Sequence, residues 1–116
     1  DKNGRAGALD TEPFYQACRA RLTTHGLLSV NLLGRSRGFA ASKDRIAAAF
    51  DDRALVFPSC DSGNAIAFAA ETPQSIDLED LRQRAAELKK STGLDLGPGI
   101  SRLQLTQSLP GNRLKL

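Results

Sequence analysis

The stretch LLSVNLL, Leu27–Leu33, decides how the rest of this chain is read. It is a short, nearly continuous apolar run, which favours a strand buried on both faces, as in a parallel sheet. Asn31 interrupts it near its carboxyl end. Upstream, Thr11 is a good helix N-cap, with Glu12 and Pro13 in the first turn, where a missing N–H costs little. Phe14, Ala17, Cys18, Arg21 and Leu22 follow with helical spacing, and His25-Gly26 is the expected stop, with Gly26 in the C′ position. A helix that leads into a buried strand implies a parallel strand before it in the sheet.

Downstream, GRSRG at 34–38 is a loop. Phe39, Lys43, Ile46 and Phe50 mark a second helix, with alanines supplying propensity. Residues 54–57 read as a strand stopped by Pro58, and NAIAFAA at 64–70 as its hairpin partner across SCDSG. Asp77 caps a third helix with the stripe Leu78, Leu81, Ala85 and Leu88, which Gly93 ends. The remainder, punctuated by Gly97-Pro98-Gly99 and Pro110-Gly111, reads as irregular, with ISRLQL as a short strand or a covering loop. The order is helix, strand, helix, strand, strand, helix, with no internal repeat.

The chain has 116 residues, sufficient for one domain, at 41% hydrophobic and 25% charged composition. With aromatics at 5% and no Trp or Met, the core is expected to be built from Leu, Ala, Ile, Val and Phe. The net charge of +3 is spread along the chain without a basic block, so a nucleic-acid surface is not expected. Cys18 and Cys60 form no C-x-x-C pair and there is one His, so neither a zinc site nor a disulfide scaffold is expected. The sequence shows no signal peptide and no apolar run of membrane-spanning length, which makes a cytoplasmic setting the default. The opening residues, DKNGRAGALDTEPFY at 1–15, read as a stretch from the middle of a domain, so a single truncated domain over residues 1–116 is expected.

Those opening residues resemble the loop and helix of the aminopropyltransferases, the spermidine synthase family. That family carries D-x-x-D-P-x-G-P-A, then Leu, then a helix beginning near Phe-Tyr or Tyr-Tyr. Asp1, Gly4, Ala6, Leu9 and Tyr15 fall on those positions without a gap, while Lys2 and Arg5 replace the two prolines. Asn31 falls where the family has a strand-end Gln. PSCDSGNAIAFA at 58–69 is similar to the family's P-T-Y-P-S-G-x-x-G-F segment. Pro58, Ser62 and Gly63 agree, whereas Cys60 replaces the Tyr and Asp61 the second Pro. The resemblance covers residues 1–70; residues 71–116 resemble no named segment.

The resemblance implies an α/β fold: the C-terminal half of a Rossmann-like, S-adenosylmethionine-dependent methyltransferase fold. A mixed sheet with a terminal antiparallel hairpin and flanking helices is expected. It also implies a parent that transfers an aminopropyl group from decarboxylated S-adenosylmethionine, its co-substrate, to a diamine such as putrescine. The nucleotide site and the general-base Asp would lie upstream, so the 116 residues alone are expected to be inactive and to hold no cofactor. An attacking amine must be neutral, yet a free diamine is dicationic at neutral pH, so the site needs carboxylates.

Asp1 is the residue expected to hold or orient the amine. Asn31 either offers a carbonyl to an ammonium at the carboxyl end of a strand or caps that strand end. Asp61 is either an added carboxylate over the amine pocket or, the weightier reading, a turn Asp. Tyr15 is expected to pack its ring under the loop with its hydroxyl in water. Arg35 and Arg37 follow the strand of Asn31; they suit an acidic ligand and would repel a polyamine. An open sheet edge is expected to promote self-association into a homo-oligomer. Two other readings stay open: an S-adenosylmethionine-dependent methyltransferase, and a non-catalytic interaction module that kept the fold and lost the site.

Overall fold

The computed structural model describes residues 7–35, 37–57, 63–107 and 109–116, and forms two compact units, Asp1–Pro73 with Leu116, and Gln74–Lys115. In the first unit a short 3-10 turn, Gly7–Leu9, leads into α1, Glu12–Ala20. The strand β1, Leu27–Leu33, the helix α2, Phe39–Ala49, and the strands β2, Ala54–Phe57, and β3, Asn64–Ala70, follow. The sheet order is β1-β3-β2, and β3 is antiparallel to both neighbours. β1 and β2 therefore run in one direction on either side of a reversed β3. The expected hairpin of β2 and β3 is present; the pairings among the described residues are all antiparallel, in place of the mixed sheet that was expected.

β1 is not buried on both faces. Leu27 and Leu33 are 52% and 48% exposed, and burial alternates along the strand. Leu28, Val30 and Leu32 face the helices with Ala67, Ala69, Ala54 and Val56. Leu27, Ser29, Asn31 and Leu33 point the other way. The polar residues of LLSVNLL both fall on one face, so the run has a period of two beneath its apolar composition. On its far side β1 has no strand partner among the described residues.

The core of this unit joins Tyr15, Leu32, Ile46, Ala49, Phe50, Ala67 and Ala69. The alanines of β3 let α1 and α2 lie close on the sheet. Thr11 caps α1, its Oγ1 accepting from the Phe14 amide at 3.2 Å. The helix stops at Ala20, short of His25-Gly26. The Arg21 and Leu22 amides donate to Cys18 and Arg19 carbonyls at 3.0 Å, tightening the last turn. Gly26 is needed for closeness: a Cβ there would sit 2.9 Å from Leu22 Cβ.

The second unit holds β4, Ser75–Asp77, α3, Leu78–Thr92, α4, Gly97–Thr106, and β5, Arg113–Lys115, with β4 and β5 antiparallel. Asp77 caps α3, accepting from the Glu79 amide at 2.8 Å, and Gly93 ends it in the left-handed region at φ 78. Within the region read as irregular, ISRLQL lies in a helix, α4, and is neither a strand nor a loop. Pro98 lies in its first turn, where proline is tolerated, and Ile100 and Leu103 bury one face. No helix among the described residues is long and apolar enough to cross a membrane.

Candidate functional site

In an open α/β sheet, ligands bind beyond the carboxyl ends of the strands. Here that end is where β1 passes through Gly34 and Arg35 into α2. The Gly34 amide donates to the Gly63 carbonyl at 2.8 Å, joining the exit of β1 to the entry of β3. The Arg35 side chain lies over Gly63: a Cβ at Gly63 would be 3.7 Å from Arg35 Cδ. Gly63 has φ 83, a left-handed backbone that favours glycine, while a Cβ there would meet the Arg35 stem only in ordinary contact. Arg35 and Arg37 are exposed.

Of the three expected site residues, Asp1 and Asp61 lie outside the described residues. Asn31 is exposed, in register with Ile66, on the sheet face turned away from α1 and α2. Its strand places it two residues before the end of β1, beside Ser29 and Leu33 on that face. Among the described residues no three His, Cys, Asp or Glu side chains gather to hold a metal ion.

A polar cluster that the sequence did not reveal stands at the N-terminal turns of both helices. The Asp10 carboxylate accepts from three side chains. The Tyr15 hydroxyl donates to Oδ1 at 2.9 Å, the Ser42 hydroxyl to Oδ2 at 2.7 Å, and Arg45 Nη1 to Oδ2 at 3.1 Å. Asp10 is 16% exposed, Ser42 7% and Tyr15 2%. Tyr15 is therefore not in water as expected: its hydroxyl is spent on Asp10. Burial, and then the hydrogen bond to the Asp10 carboxylate, push its pKa up to about 12. The sequence signal was present but faint. Asp10 directly precedes a capping Thr, and Ser42 takes an apolar-stripe position, i with Ile46 at i+4, where a core residue would be usual.

At the other end of the unit, Arg19 joins α1 to the end of β3 and to the turn after α2. Its Nε donates to Glu71 Oε2 at 2.7 Å, and its Nη1 to Asp51 Oδ2 at 3.0 Å and the Ala49 carbonyl at 3.1 Å. An open depression of ≈ 390 Å³ lies over this network, lined by Gln16, Arg19, Ala48, Asp51 and Glu71 among others. Its guanidinium is already matched by two carboxylates, and it sits away from the carboxyl ends of β1 and β2. The chemistry of a ligand site is not there.

The chain is similar to three curated proteins, each named polyamine aminopropyltransferase. With the one from Chromobacterium violaceum it is 29% identical over 108 residues, 92% of this chain and 41% of that protein. With those from Neisseria meningitidis serogroups A and B it is 26% identical over 110 residues, 94% of this chain and 42% of each relative. The chain thus spans about two fifths of the length of these relatives. The resemblance read from residues 1–70 is borne out, and a match of 108 residues necessarily runs on into the second unit. No protein-family model and no solved structure matches the chain.

Proposed function

We propose that this chain is part of a spermidine synthase-like transferase that moves an aminopropyl group from decarboxylated S-adenosylmethionine to a diamine such as putrescine. The observation that carries the reading is the similarity to polyamine aminopropyltransferases along nearly the whole chain. The strand order supports it as well: a reversed last strand between two that share a direction suits the terminal part of a methyltransferase-type sheet. In the reaction a neutral amine nitrogen attacks the carbon beside the sulfonium. The C–N bond forms, the C–S bond breaks, and its electron pair returns to sulfur, leaving neutral methylthioadenosine. The proton shed by the nitrogen passes to a carboxylate. Asp1 is the residue of this chain proposed to hold the amine through a charge-assisted hydrogen bond, with Asn31 and Asp61 as further candidate contacts.

The test is methylthioadenosine release by the full-length protein with decarboxylated S-adenosylmethionine and a panel of amines. Release that depends on a diamine is expected, with none from the 116 residues alone. Release of S-adenosylhomocysteine from S-adenosylmethionine would instead mark a methyltransferase. A second reading, a non-catalytic module, is favoured by one observation: the Arg35 cation beside Gly63, at the sheet end where a diamine would bind. Tight nucleotide binding without transfer to any amine would establish that version.

The partner reading is self-association through β1, whose seven residues include no charge and no proline to blunt an open edge. The isolated chain is expected to elute larger than a monomer, and Leu33→Lys to return it to monomer. Monomeric elution of the unaltered chain at high concentration would end this idea.

A further inference from the structure

The open edge of β1 carries a pattern that fits it to one kind of partner. LLSVNLL has the same polarity in either direction: Leu27 and Leu28, then Ser29, Val30 and Asn31, then Leu32 and Leu33. We propose that this edge pairs with β1 of a second copy, antiparallel and centred on Val30. The pairing joins the two sheets into one, in the order β2-β3-β1-β1-β3-β2. The inference rests on the reading that the chain self-associates through β1. It adds the register, the two-fold symmetry and the closure of the pair.

The backbone decides which groups face the edge. At the two ends of the β1–β3 ladder the Gly34 amide donates to the Gly63 carbonyl at 2.8 Å, and the Glu71 amide to the Gly26 carbonyl at 3.2 Å. In an antiparallel ladder bonded residues alternate with unbonded ones, so the even-numbered residues of β1 bond to β3. Leu27, Ser29, Asn31 and Leu33 therefore aim their N–H and C=O groups at the open side. An antiparallel partner exchanges both bonds within a residue pair, so odd positions must meet odd positions. Centring on Val30 does this: Leu27 meets Leu33 of the second copy, and Ser29 meets its Asn31.

The side chains agree with the backbone, since opposed residues share a face. Leu28, Val30 and Leu32, which face the helices, meet Leu32, Val30 and Leu28 of the second copy. On the outer face Ser29 and Asn31, both exposed, meet as a hydroxyl and an amide able to hydrogen-bond. Moving the centre to Ser29 or to Asn31 also brings odd to odd, but it sets Leu27 against Asn31 or Leu33 against Ser29. The other edge of the sheet, β2, has 4 residues against the 7 of β1, so β1 finds its longest match in itself. A two-fold pair uses up both β1 edges, so assembly stops at the dimer.

Cross-linking of the 116-residue chain tests the register. With Cys18 and Cys60 changed to Ser, Ser29→Cys and Asn31→Cys are prepared separately. Each is oxidised alone and as an equimolar mixture combined under reducing conditions, and the products are run on a non-reducing gel. Opposed residues stand about 5.5 Å apart between Cα atoms, within disulfide reach. Like residues lie on the diagonal, about 7–8 Å apart and outside it. The mixture is expected to give a covalent dimer, and either variant alone little. Dimer from one variant alone, or none from the mixture, would overturn the register and leave self-association through β1 standing. Charge variants at the same exposed positions check it by elution, without a cross-link. Ser29→Lys with Asn31→Lys opposes like charges and is expected to elute as a monomer; Ser29→Lys with Asn31→Glu opposes unlike charges and is expected to stay a dimer. Equal behaviour of the two would also overturn the register. Growth of the unaltered chain beyond two copies with concentration would overturn the closure, whereas a monomer at high concentration would sink the β1 reading itself.

Discussion

Two polar networks hold the first unit together, and they are built in opposite senses. At the mouth of α1 a carboxylate, Asp10, gathers donors from the interior; at the far end a guanidinium, Arg19, gathers acceptors at the surface. The first has two hydroxyls, of Tyr15 and Ser42, shut away from water. The second includes Asp51, whose side chain is 65% exposed and is solvated whether or not Arg19 is present. The difference teaches where polar contacts matter. A network is worth most where losing one member strands the others without water, and least where water takes the vacant place.

That contrast predicts unequal losses. Asp10→Ala is expected to destabilise the chain by about 2–4 kcal/mol, because two buried hydroxyls lose their acceptor at once. Arg45, being 40% exposed, turns to solvent instead. Urea denaturation checks this, and a loss no larger than that of Arg19→Gln would break the comparison.

Next in size is the effect of pH on Tyr15. Its folded pKa, about 12, lies above the ordinary phenol value of 10.0, because burial and then Asp10 disfavour the phenolate. A raised folded pKa means that the contribution is complete below the unfolded value and fades as pH rises through the folded one. Stability is therefore expected to fall between about pH 10 and pH 12 through this group. The groups facing it are Asp10, Arg45 and Cys18. Tyr15→Phe should be less stable at neutral pH, from the lost hydrogen bond, and show a shallower decline over that window. Parallel pH profiles of the two proteins would show that Tyr15 does not carry the alkaline loss.

How much of this was legible in the sequence depends on how local the cause is. Thr11, Asp77 and Gly93 were legible because a cap acts within its own helix turn. β2 and β3 were legible because Pro58 and the turn residues bracket them. β1 was found but its burial was misread: Ser29 and Asn31, both on one face, carry the alternation that five apolar neighbours concealed. α4 was missed because Gly97-Pro98-Gly99 looks like a stop, although a proline in a first turn is as good a start. The Asp10 cluster was out of reach, since Ser42 and Arg45 meet Asp10 only after α2 packs on α1. Of the expected site, Asn31 was placed on its strand correctly, but its exposed face is a property of the sheet and not of the run.

Arg19→Gln should follow as a smaller loss, and one that depends on salt. Screening weakens exposed ion pairs, so the gap between the unaltered chain and Arg19→Gln is expected to narrow in molar salt. The gap for Asp10→Ala, which rests on stranded hydroxyls, should persist. If salt closed both gaps equally, the two networks would not differ in kind.

The smallest effect belongs to a half-exposed carboxylate of the second unit, paired with an exposed lysine. Asp95 accepts from the Gly97 amide at 2.9 Å and pairs with Lys89 at 3.3 Å, just where α4 begins. The Gly97 amide first, and Lys89 second, hold its pKa below the usual 3.8. For a depressed carboxylate the contribution is complete above the unfolded pKa and is lost as pH falls through the folded one. Asp95→Asn should therefore match the unaltered chain in acid and differ slightly at neutral pH. Its Gly97 amide should exchange faster at neutral pH, while amides in the middle of α3 keep their protection. A Cβ at Gly97 would stand 3.0 Å from Asp95 Oδ1, so Gly97→Ala should disturb the same amide from the other side. Water competes for every partner of this carboxylate, so a stability change as large as that of Asp10→Ala would refute the ordering by burial on which the comparison stands.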